Sequence, residues 1–159
     1  MSDVAWHDDG LALGSIGNVF VNVFRQRGTL PRIAQVRARL EKLIEQYPEG
    51  IAQILVFEET SIDGAVRAEE RAAGTELAKQ FAPNTLALAY VFEGGGFRAA
   101  SARMVLSAIR LVSRSKYPSR IFSAVPEGTR WLGEHVPNSD MRRVAALIEE
   151  LRAIIPRAA

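Results

Sequence analysis

Leu86-Ala87-Leu88-Ala89-Tyr90-Val91-Phe92 is an apolar run of strand length, followed by the triplet Gly94-Gly95-Gly96 and a long apolar segment from about Phe97 to Ser115. Beyond it come a short β-prone run, Arg120-Ile121-Phe122, and the pair Trp131-Leu132. A run without polar alternation reads as a strand covered on both faces. A strand, a helix of that length and a second strand form the repeating unit of a layered α/β fold.

Working outward, Ile51-Ala52-Gln53-Ile54-Leu55-Val56-Phe57 repeats the same pattern and predicts a second central strand. Between the two runs an alanine-rich helix is expected from about Val66 to Phe81, broken by Pro83-Asn84. Upstream, Leu30, Ile33, Val36, Leu40, Leu43, Ile44 and Tyr47 recur at helical spacing, with Thr29 as N-cap and Pro31 in the first turn. Asn18–Phe24 and Leu11–Leu13 predict an antiparallel pair joined through Gly14-Ser15-Ile16-Gly17. Toward the other end, Pro126 introduces a short helix, and Met141, Val144, Ile148, Leu151 and Ile155 form one stripe of a final helix. The expected architecture is a mostly parallel sheet of four or five strands with an N-terminal antiparallel hairpin, packed by helices. Residues 1–10 are expected to be a flexible tail, 11–136 the domain, and 137–159 an appended amphipathic helix.

Composition narrows the class. The 159 residues, 48% hydrophobic, suffice for one core rather than two. Absence of cysteine excludes disulfides, thiolate catalysis and thiolate metal sites. With 20 basic against 18 acidic residues the net charge is only +2, which predicts no nucleic-acid partner. No apolar run approaches the ~20 residues of a membrane span, and the acidic start Met1–Asp9 does not look like a signal peptide. A cytoplasmic location is expected.

Candidate chemistry is sparse. Gly94-Gly95-Gly96 with Arg98 stands between a strand and a helix, where free backbone amides can hold an anion. It matches neither a P-loop nor a dinucleotide fingerprint. His7 with Asp8 and Asp9 sits near the start of the chain, and His135 is the other histidine, so neither a metal site nor a Ser-His-Asp set is expected. Glu58-Glu59 and Glu69-Glu70 are adjacent pairs whose side chains diverge, unlike an acid/base couple. No catalytic residue, metal or cofactor is expected. In the Phe97–Ser115 helix, Arg103, Arg110 and Arg114 form one stripe, while Met104, Ala108 and Leu111 lie on a second apolar flank that needs a partner. That flank, or Val144, Ile148 and Leu151 of the final helix, is the candidate contact for a homodimer.

The order of elements, with Phe122 followed at short range by Trp131-Leu132, resembles the STAS family in its anti-sigma-factor-antagonist-like (SpoIIAA-like) branch. There a last strand ending in Phe leads to a helix bearing Ala-x-x-Trp-Leu; here Gly128 takes the alanine position. The run Glu93–Arg103 also resembles uncharacterised bacterial members, and the likeness spans roughly residues 11–136. It implies a regulatory module that binds protein partners, switched in the antagonists by a serine in Asp-Ser-Ser-Gly. The matching segment is Ser61-Ile62-Asp63-Gly64-Ala65-Val66, with Gly64 and Ala65 at the hydroxyl positions. Thr60 and Ser61 are therefore disfavoured as phosphoacceptors, and no phosphorylation switch is expected.

Two function classes follow. One is a non-catalytic regulatory or interaction module that works through a protein partner or homodimer. The other is a binder of a small lipid, nucleotide or anion in a cleft near the glycine loop.

Overall fold

The computed structural model describes residues 3–62, 67–95, 103, 107 and 116–157. Among these, six strands form one mixed sheet: β1 (Val4–His7), β2 (Leu11–Ile16), β3 (Val19–Phe24), β4 (Ile51–Phe57), β5 (Thr85–Phe92) and β6 (Ser119–Phe122). They stand in sequence order across the sheet. β1, β2 and β3 pair antiparallel, and β3 through β6 pair parallel. The helices are α1 (Leu30–Gln46), α2 (Ala68–Phe81), α3 (Val125–His135) and α4 (Met141–Ile154).

The α/β class and the change from antiparallel to parallel pairing agree with the expectation, but the strand number does not. The added strand is β1, which lies in the segment expected to be a flexible tail. Its Val4 and Trp6 are partly buried while Ala5 and His7 are exposed, the alternation of an edge strand. Asp8 closes its turn by accepting from the N–H groups of Gly10 and Leu11, both at 2.8 Å. A four-residue strand with two inward-facing positions is too short to stand out by periodicity.

The central strands read as continuous apolar runs because both faces are covered. α1 lays Val36, Leu40 and Leu43 on one face, against Leu11, Leu13, Phe20 and Ile51, and Phe81 of α2 joins this cluster. Crossovers of one hand, advancing in one direction, put their helices on one side of a sheet. The opposite face packs the valines of β3 and β4 against Leu132 of α3 and Val144, Leu147, Ile148 and Leu151 of α4. α4 is thus part of the core layer. Its start is fixed by Asp140, whose Oδ1 accepts from the N–H groups of Arg142 and Arg143.

α3 comes close to the sheet at Gly128, where an added Cβ would lie 2.9 Å from Val91 Cγ2. That proximity accounts for glycine where the resembled motif carries alanine. The Phe122 and Trp131 rings meet at a tilt, with centroids 5.7 Å apart, and Trp131 in turn meets His135 at 4.5 Å, also tilted.

Candidate functional site

Open α/β sheets place their ligand and reactive groups beyond the carboxyl ends of the parallel strands, at the point where strand order reverses. Here the order runs from β1 to β6 without reversal. The carboxyl edge is instead organised by repetition, since three adjacent strands end alike: Val23-Phe24-Arg25, Val56-Phe57-Glu58 and Val91-Phe92-Glu93. Register places Phe24 beside Phe57 and Phe57 beside Phe92. Their rings stack at 4.8 and 4.7 Å, each pair 7° from parallel, which is the strand spacing itself. Because side chains alternate, this phenylalanine ladder lies on the α1 face and the charged row that follows it on the α4 face.

That charged row is spent on ion pairs. Arg25 Nε donates to Glu58 Oε1 at 2.6 Å, and its terminal nitrogens donate to the carbonyls of Ile155 and Arg152 at 2.6 and 3.0 Å. Arg152, from the last turn of α4, donates to Glu58 Oε2 at 2.8 Å and to both oxygens of Glu93 at 2.6 and 2.7 Å. Arg25 therefore also supplies donors to the unpaired carbonyls at the α4 end. Burial pushes the Glu58 carboxyl up, but the hydrogen bonds and charges of Arg25 and Arg152 outweigh it and hold the group below its ordinary value. Arg152 is raised above its ordinary value, first by the bond to Glu93. Groups held so firmly in their charged forms are poorly suited to exchange protons near neutrality.

A second network ties the β1–β2 turn to α1. The buried Arg32 donates to Asp8 at 2.9 Å, to Asp9 and Gln26 at 3.0 Å, and to the Arg27 carbonyl at 2.9 Å. For Asp8, burial acts upward, but the N–H of Gly10, the Arg32 guanidinium and the N–H of Leu11 together lower it. Asp8 and Asp9 are thus turn and ion-pair partners, while His7 is exposed.

The other candidates fall as follows. Gly94 has φ of +91°, which requires glycine, and a Cβ there would meet the Glu59 carboxyl carbon at 2.8 Å. At Gly94 the loop thus lies against the Glu59 side chain, whose carboxylate is an unfavourable neighbour for an anion, while an added Cβ at Gly95 would meet nothing within 4 Å. Gly96 and Arg98 lie outside the described residues. Ser61 is buried, with its Oγ donating to the Glu58 carbonyl at 2.6 Å; the side chain of Thr60 lies outside the description. So do Met104, Ala108 and Leu111. Val144, Ile148 and Leu151 are each fully buried within the chain, so their apolar surface is used inside the protomer and is not offered to a second copy.

Arg25, Glu93 and Arg152 are not among the candidate site residues expected from the sequence. The threefold Val-Phe-charge ending was a usable signal, whereas the meeting with Arg152 depends on how α4 crosses the sheet. Among the described residues no group of three or more His, Asp or Glu side chains could hold a metal, and no helix is long and apolar enough to cross a membrane. No family model, curated protein or solved structure matches this chain.

Proposed function

We propose that the protein is a non-catalytic regulatory or interaction module of STAS-like type that acts through a protein partner or by self-association. The observation that carries this proposal is the carboxyl edge. Where such sheets ordinarily hold reactive groups, Arg25, Glu58, Glu93 and Arg152 neutralise and fix one another. The contact between Phe122 and Trp131 adds support, because these are the aromatic positions on which the STAS resemblance rests. The buried, hydrogen-bonded Ser61 favours a module without a phosphoswitch in this loop. Native mass spectrometry of the protein purified from its own cells tests the proposal. A dimer or a protein complex supports it; a stoichiometric small molecule on a monomer overturns it in favour of the ligand-binding alternative.

A further inference from the structure

The outer face of α4 carries a charge pattern that its own helix does not use. Val144, Leu147, Ile148 and Leu151 turn inward, which leaves Arg142, Arg143, Ala146, Glu149, Glu150 and Ala153 exposed. At about 100° per residue these positions fall on one continuous stripe, roughly a third of the helix circumference. The stripe is basic at one end and acidic toward the other, with Ala146 at the midpoint of its charges. That order runs against the helix dipole, which favours acidic residues at the start of a helix and basic ones at its end. Arg142 and Arg143 each precede a glutamate by seven residues. That is two turns, about 10.5 Å along the axis, beyond the spacing of three or four at which side chains on a helix pair. The side chains of Arg142 and Glu150 have no hydrogen-bond or ion-pair partner among the described residues. Arg143 reaches Asp3 only at 3.5 Å, and Glu149 accepts from Arg152 at 3.2 Å with its side chain still 71% exposed.

What is unused within one chain is self-complementary between two. A twofold axis at Ala146 lays two α4 helices antiparallel and sets Arg142 and Arg143 of each copy opposite Glu149 and Glu150 of the other. Alanine at the midpoint lets the two helices approach closely. We propose that the outer face of α4 is the contact of an antiparallel homodimer, held by reciprocal Arg–Glu pairs about Ala146. The proposal rests on the self-association reading above and supplies its surface. A contact made of exposed ion pairs is weak and salt-dependent, so the dimer forms and separates with concentration.

Charge reversal tests it. Arg142→Glu/Arg143→Glu makes the stripe wholly acidic, and Glu149→Arg/Glu150→Arg makes it wholly basic. In both variants the new charges suit the helix dipole, so the fold is retained, which thermal melting checks. Sedimentation equilibrium in low salt should show the natural chain dimerising and each variant alone associating at least about tenfold more weakly, because like charges then face each other. An equimolar mixture of the two variants, or one chain carrying both pairs of substitutions, should associate as the natural protein does. The association should fade in about 1 M salt, where the screening length falls to about 3 Å. A natural chain that is monomeric at every concentration overturns both this contact and self-association. A dimer that both variants keep overturns the contact alone, as does a mixture that associates no more tightly than its components.

Discussion

Replacing Arg152 by Met keeps the apolar stem and removes the cation that joins α4 to the strand ends. The side chains of Arg152, Glu58 and Glu93 are 19%, 15% and 28% exposed, between the surface and the interior. Exposed pairs contribute about 0–1 kcal/mol, and removing one partner of a buried pair costs about 3–5 kcal/mol. Glu58 keeps Arg25 in the variant, whereas Glu93 loses both bonds to Arg152. A loss of about 2 kcal/mol follows, equivalent to a melting temperature lower by about 4–8 °C for a chain of this length. Urea unfolding followed by circular dichroism measures it. The pH dependence gives a second check. Glu58 is held below its ordinary value of 4.5, so its contribution is full above that pH and is lost as pH falls through the lowered value. With one of its two cations gone, the variant has less to lose in acid. The gap between the two proteins should therefore narrow from pH 7 to pH 3. Equal midpoints at pH 7, or a gap that stays constant into acid, would refute the reasoning.

Gly128→Ala should destabilise the protein by about 1–2 kcal/mol despite alanine's better helix propensity, because its Cβ meets Val91 at 2.9 Å in a packed core. Combined with Val91→Ala the two losses should be less than additive, and fully additive losses in urea unfolding would contradict the contact. Asp140→Ala removes the N-cap of α4 and should cost about 1 kcal/mol; thermal melting that matches the natural protein would show that the cap contributes nothing. Gly94→Ala combines a positive φ with a collision at Glu59 and should lower the urea midpoint by more than Gly95→Ala, where an added Cβ meets nothing within 4 Å.

The helices and central strands were legible because burial on one stripe, or on both faces, leaves a pattern within a single segment. α1 begins at Leu30 beside Thr29, as expected, although the Thr29 side chain makes no capping bond. β1 was not legible, since only pairing with β2 makes strand of four residues. The site was less legible than the fold. Glu58 looked like half of a divergent carboxylate pair because its partners, Arg25 and Arg152, stand 33 and 94 residues away. Asn22 is a polar residue within a β-prone run, and only the packing of both faces of the sheet buries it fully.

The energies assign different tasks to the parts of α4. Val144, Leu147, Ile148 and Leu151, with Ile155 just past its end, are almost fully buried, and each such side chain stabilises by roughly 1.5–3 kcal/mol as an upper estimate. Their burial far exceeds the roughly 2 kcal/mol ascribed to Arg152. The apolar stripe therefore attaches the helix, and the charges set where along the sheet its end comes to rest. A stripe of aliphatic residues tolerates sliding, whereas a guanidinium that bridges two carboxylates on neighbouring strands does not. An arginine used in this way leaves the α4 side of the carboxyl edge closed and electrically satisfied.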